Sequence, residues 1–150
     1  MRSILALPLL VALALHTASG AASSPVTHLP ADKVAAAFAK GAPLLETAGY
    51  KIHASRRDAP GQAEVHVRDT DIIYVLEGTA TMIVGGTVVG GKTTATDEIR
   101  GTAIQGGEIR QMAKGDVMVV PNGTPHQFQA VQGPFLYYVV KATSPAGGTQ

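Results

Sequence analysis

The chain has 150 residues with 12 Lys+Arg against 11 Asp+Glu, a formal net charge of +1. That balance leaves no basic stripe to neutralise a nucleic-acid backbone, and the absence of cysteine excludes a disulfide framework and a thiol nucleophile. Seventeen glycines and nine prolines beside three phenylalanines and no tryptophan suit many short strands joined by tight turns.

Residues 1–22 carry the pattern of a secretory signal: Arg2 is a charged start, Ile4–Leu15 is an apolar run, and Ala18-Ser19-Gly20-Ala21-Ala22 offers small-residue cleavage sites. The run is short for a bilayer span. The expectation is an exported protein, periplasmic or secreted, with no membrane span after cleavage. Loss of Arg2 with the leader brings the formal charge to neutral, and residues 23–150 suffice for one compact domain but not for two.

Residues 23–43 read as a polar leader followed by one helix, Ala31–Lys40. It is alanine-rich, carries Asp32 in its first turn, places Val34 and Phe38 on one face and meets Gly41 as its stop. Residues 44–143 read only as short strands: Leu44–Ala48, Lys51–Arg56, Ala63–Arg68, Asp71–Glu77, Thr79–Val84, Thr102–Ile104, Glu108–Met112, Asp116–Val120, His126–Val131 and Phe135–Lys141. Turns at Gly49, Asp58–Gly61, Gly85-Gly86, Gly106-Gly107 and Gln132-Gly133-Pro134 separate them. This spacing predicts an all-β sandwich or barrel with a short N-terminal helix. Residues 144–150 read as a disordered tail.

The segment Gly115–Phe128, GDVMVVPNGTPHQF, combines a β-branched run, a Pro121-Asn122-Gly123 turn and a second strand that opens on His126. Alternation puts His126, Phe128 and Ala130 on one face. A histidine on an apolar face is either a hydrogen-bonded core residue or a metal ligand. Upstream, EVHVRDTDIIYVLEG places Glu64, His66 and Arg68 on one face of a strand, and Asp71 opens the next.

These two segments resemble the paired motifs of the cupin superfamily. The first is written as glycine, two histidines one residue apart, a glutamate and, after six intervening residues, a glycine; the second has a glycine, a proline-x-glycine turn and a histidine. Gly78 follows Asp71 at the family's spacing, and Gly115, Pro121, Gly123 and His126 fall in register, the likeness extending over Ala48–Lys141. It implies a single jelly-roll-like β-barrel with a metal held inside by three histidines and a glutamate. Here Glu64 stands in place of the first histidine and Asp71 in place of the glutamate. The implied ligand set is therefore Glu64, His66, Asp71 and His126, an open site for one divalent transition metal: iron, manganese, nickel or zinc.

Each member also has a plainer reading. Glu64 is an ion-paired carboxylate at a strand start, Asp71 pairs with Arg68 or Arg57, and the histidines are core residues. His53, Arg68, Tyr74 and Phe128 are candidates to line a substrate pocket. The Asp71–Glu77 strand is apolar on both faces, with Ile72, Tyr74 and Leu76 opposite Asp71, Ile73 and Val75. Either the helix or an extra strand of the same chain, or a second subunit, would cover the outer face; cupins commonly pair this way, so a homodimer is expected.

Two further motifs lie outside the two segments of that likeness. Gly86–Thr93, GTVVGGKT, fits the phosphate-loop pattern, but a threonine-rich stretch follows it where that loop requires a helix, so it reads as a hairpin loop. In Asp97–Gly101, DEIRG, Glu98 and Arg100 either form an exposed turn or reach the open end of the barrel. The resulting expectation is a cupin barrel that binds one metal and acts on a small oxygen-bearing molecule by oxygenase, isomerase or lyase chemistry. The alternatives are a metal-free barrel that binds a small ligand without catalysis, and a structural or storage role.

Overall fold

The computed structural model describes residues 25–145. The expected signal (1–22) and most of the expected tail (144–150) lie outside the described residues. The helix α1 spans Ala31–Lys40 as its sequence predicts, ending at Gly41, whose φ of 66° is the left-handed cap that glycine adopts without strain. Eleven strands follow, β1 Ala42–Glu46, β2 Tyr50–Arg57, β3 Ala63–His66, β4 Asp69–Val84, β5 Thr87–Val89, β6 Lys92–Ala95, β7 Glu98–Gly101, β8 Ala103–Gln105, β9 Glu108–Ala113, β10 Val117–Val120 and β11 His126–Thr143. Among the described residues no helix is long and apolar enough to cross a membrane.

Two long strands organise the barrel. The first part of β11 pairs with the end of β4, and the last part of β11 pairs with the start of β4, both antiparallel. One path of the sheet runs β1-β2-β11-β3-β7-β6, while β4 also pairs with β9 and β10, and β5 with β8 forms a separate ribbon. Between the two halves the register shifts from Gln132↔Thr79 to Leu136↔Glu77, a bulge that bends both strands and curls the sheet. The sequence reads two strands on either side of Gly78 and two on either side of Gly133. The backbone instead runs through both glycines, at φ of 78° and 70°, so turn chemistry here makes a corner rather than a break.

Alternation sorts the residues cleanly. Asp71, Ile73 and Val75 point inward and are buried, with Tyr137, Val139, Met82, Met112, Phe128 and Phe135 completing the core. The rings of Phe128, Phe135 and Tyr137 stand 5.1–5.6 Å apart, a favourable aromatic cluster. Outward, α1 packs on β1 and β2 and sets Phe38 edge-on to Tyr138 at 4.9 Å. Beyond its reach Ile72, Tyr74, Val117 and Val119 remain exposed on adjacent strands β4 and β10.

The segment 87–101, expected as a hairpin loop and turn, forms β5, β6 and β7. Its threonines and β-branched residues favour extended chain, and no helix follows Lys92-Thr93, as the rejection of a phosphate loop requires. Asp97, at φ 62°, makes the turn that was expected to extend to Gly101, and Glu98–Gly101 pairs with β3.

Gly78 offers a clean test of the corner. A Cβ there would lie 2.8 Å from Pro134 O and 3.0 Å from Gln132 O, whereas at Gly133 nothing lies within 4 Å. Left-handed backbone alone costs a non-glycine residue on the order of 1–3 kcal/mol. Gly133→Ala is therefore expected to lose about that much in chemical denaturation and Gly78→Ala clearly more; equal losses would contradict the close approach at this corner.

Candidate metal centre

The centre grows from strand register. β3 lies between β11 and β7, so Glu64 stands directly opposite His126 on one side and Arg100 on the other, while His66 stands opposite Glu98. Directly opposed residues share a face of the sheet. The Pro121–Gly123 turn fastens the second motif to the first: Gly123 N donates to His66 O at 2.8 Å, and Asn122 Nδ2 donates to Val67 O at 3.1 Å. Asp71 comes from the other wall, where its cross-strand neighbour on β11 is Lys141.

Glu64, His66, Asp71 and His126 are all buried. One ligand atom each from Glu64, His66 and His126 can be chosen so that all lie within 4.8 Å of one another, near the span of a shared ion with bonds of about 2 Å. The imidazole centroids are 5.2 Å apart. His126 Nε2 lies 3.6 Å from Glu64 Oε1 and 4.0 Å from Asp71 Oδ2, and His66 Nε2 lies 3.4 Å from Asp71 Oδ2. The donor set fits a metal for a chemical reason. His126 Nδ1 is 3.1 Å from the Thr124 carbonyl, which only accepts, so Nδ1 carries the proton and in the neutral ring Nε2 presents its lone pair to two carboxylates. A metal ion held between them would be bound by that lone pair and a carboxylate oxygen together.

Asp71 departs from the implied ligand set. Its two oxygens accept bonds from Lys141 Nζ at 2.7 and 2.9 Å, so it sits beside the imidazoles already charge-compensated. Its ion-pair partner is Lys141, not the Arg68 or Arg57 anticipated from sequence. Burial pushes the Asp71 carboxyl up, but bonding to His66 and the Lys141 charge outweigh it and hold the group below its ordinary range. Glu64 behaves alike: burial raises it, while bonding and charge from His126, with charge from His66 and Arg100, bring it down to about 2.

The surrounding cavity, about 240 Å³, also receives residues the motifs do not flag: Ser55, Arg57, Tyr137 and Lys141, with Glu98 and Arg100 from the DEIRG segment. Arg57 lies 4.4 Å over the Phe128 ring and donates from Nε to Tyr137 Oη at 3.0 Å. Burial pushes the Tyr137 phenol up, against the opposing effect of Arg57. Arg100 pairs with Glu98 and lies 3.0 Å from Glu64 Oε2, so Glu98 and Arg100 reach the cavity from a strand rather than forming an exposed turn. The available signal was period two: Tyr137, Val139 and Lys141 share one phase of β11, and His53, Ser55 and Arg57 one phase of β2.

Of the expected pocket residues, Phe128 and His53 line the cavity, although the His53 ring also reaches Glu46 at 3.2 Å. Two are corrected. Tyr74 is 46% exposed on the outer face, because it alternates with the buried Ile73. Arg68 turns away from the cavity, donating from Nε and Nη2 to Ser144 O at 2.9 and 2.6 Å and pairing with Asp97 at 3.4 Å, since it follows β3 at the point where the chain leaves the sheet.

The Glu64 shift has a sign that can be measured. Between about pH 4.5 and 2 the unfolded chain binds a proton at Glu64 that the folded chain does not, so this group's stabilisation is present above that window and lost as pH falls through it. Chelator-treated protein is expected to lose thermal stability as the pH is lowered through the upper part of that window, and Glu64→Gln to flatten the fall. An unchanged slope in the variant would contradict the assignment.

Comparison with known proteins agrees with this architecture. The cupin family model matches residues 33–150. A conserved double-stranded β-helix protein from Klebsiella pneumoniae is 18% identical with a TM-score of 0.51, covering 71% of this chain and 78% of that one. The cupin domain of Cnp3 from Schizosaccharomyces pombe is 15% identical with a TM-score of 0.50, covering 69% and 60%. At these identities the likeness is one of fold. No curated protein matches the chain. With the two motifs joined at one buried Glu-His-His group and the family model spanning the barrel, the chain belongs to the cupin family.

Proposed function

We propose that the barrel binds one divalent transition metal through Glu64, His66 and His126 and acts there on a small oxygen-bearing molecule. The observation that carries this reading is the convergence of those three buried donors within 4.8 Å, with the His126 lone pair directed at carboxylates. Two imidazoles and a carboxylate suit iron, manganese, nickel or zinc and leave coordination positions open. A bound ion would supply Lewis acidity to a coordinated oxygen. The chain's own groups supply the rest. Lys141 keeps Asp71 ionised beside His66, where its charge orients the imidazole. Ile73, Val139 and Phe128 give the cavity an apolar side. Oxygenase, isomerase and lyase chemistry can each draw on these parts.

A second reading, a metal-free barrel that binds a small ligand without catalysis, draws on the cations already present: Lys141 on Asp71, and Arg57 and Arg100 on Glu64. Elemental analysis of protein purified without chelator or metal-affinity resin separates the two. The metal reading predicts about one equivalent per chain, lost in His66→Ala and His126→Ala while both variants stay folded. No metal, even after reconstitution, would favour the second reading.

We also propose export and a homodimer. Export is supported by the apolar run Ile4–Leu15 with its small-residue cleavage sites. The dimer is supported by Ile72, Tyr74, Val117 and Val119, an apolar group on the outer sheet that α1 leaves uncovered. Sedimentation at micromolar protein is expected to give a dimer that Tyr74→Glu and Val117→Glu dissociate. A wild-type monomer would contradict it.

A further inference from the structure

The cavity's charges say what kind of ligand it accepts. Its titratable lining holds three permanent cations, Arg57, Arg100 and Lys141, and three carboxylates, Glu64, Asp71 and Glu98. With neutral imidazoles the cavity is balanced as it stands. A divalent ion, on the reading proposed above, adds two positive charges to a partly buried space, where uncompensated charge is costly. The balance then calls for an anion.

Arg57 marks where that anion docks. Its guanidinium is fixed by stacking over Phe128 at 4.4 Å and by the Nε bond to Tyr137, so little side-chain freedom remains to be lost on binding. Its Nη2 nevertheless reaches Glu64 Oε1 only at 3.5 Å, beyond the roughly 2.7–3.2 Å of a hydrogen bond. Lys141, by contrast, is committed to both oxygens of Asp71, and Arg100 to Glu98 and Glu64. Arg57 is thus a rigid, planar donor fork at the cavity wall whose carboxylate contact is loose, and a guanidinium fork matches a carboxylate two bonds at a time. At about 240 Å³ the cavity lies below the roughly 300–1,000 Å³ of drug-sized pockets.

We infer that the ligand is a small organic acid whose carboxylate is received by Arg57, with its remaining oxygens turned toward Glu64, His66 and His126. The inference rests on the metal reading, and the test separates the two. Protein reconstituted with zinc(II) is titrated near neutral pH with matched acids and amides, glycolate against glycolamide and malonate against malonamide, with bound zinc measured in parallel. The acids are expected to bind at least about tenfold tighter than their amides, as a charge-assisted pair worth about 1.4 kcal/mol or more requires. Arg57→Gln removes that preference at unchanged zinc content, acid affinity falling to the level of the amide. Arg57→Lys, which keeps the charge without the fork, serves if the glutamine variant does not fold, and weakens acid binding severalfold. Equal affinity for acids and amides, no binding of any acid, or full acid affinity in the variants overturns the inference alone. Failure to take up zinc or any other transition metal overturns the metal reading and this inference with it.

Discussion

The register of β3 against β11 is the constraint on which the rest depends. Glu64 faces His126 across that ladder, and a slip of one residue would send one of them to the opposite face. The ladder there is short, so the register is held from outside it. Gly123 N donates to His66 O and Asn122 N to Thr70 Oγ1, tying the turn before His126 to the residues that follow Glu64. The loop ahead of β3 is clamped in the same way, with Gly61 N donating to Phe128 O and Gln127 Nε2 donating to Gly61 O. Rigid backbone on both sides of the pair lets two motifs some sixty residues apart present one set of donors.

Around that pair the molecule has assembled a complete set of counter-charges. Each carboxylate in the cavity has a cation beside it, and among the described residues no buried side-chain nitrogen or oxygen lacks a partner. Such networks are a poor way to gain stability, since apolar filling of the same volume commonly does as well, yet removing one member leaves a buried charge uncompensated. The barrel already has an apolar core in Ile73, Met82, Met112, Phe128 and Phe135. Charge concentrated at one end of it is better explained by chemistry than by folding.

What the sequence discloses and what it hides follow from the range of each interaction. The helix, the barrel class and the positions of His66, His126 and Glu64 are written locally, in alternation, turn residues and motif spacing. The inward phase of Asp71, Ile73 and Val75 and the outward phase of Ile72 and Tyr74 follow from period two. Strand continuity through Gly78 and Gly133 is not local, because it depends on a corner made by two strands at once. The partners of the carboxylates are equally non-local. Lys141 meets Asp71 across seventy residues and Arg100 meets Glu64 across a ladder formed by a segment that reads as a loop. Arg68 is close to the motif in sequence and turns away from it, held by the Ser144 carbonyl.

The central claim is that three side chains, not four, form the metal centre, with Asp71 withheld by Lys141. Anomalous diffraction from crystals soaked in zinc(II), recorded on both sides of the zinc absorption edge, tests it most directly. The account predicts one peak inside the barrel bounded by Glu64, His66 and His126 Nε2, with Lys141 still bonded to Asp71. A peak ligated by Asp71 with Lys141 displaced, or no peak inside the barrel, would contradict it.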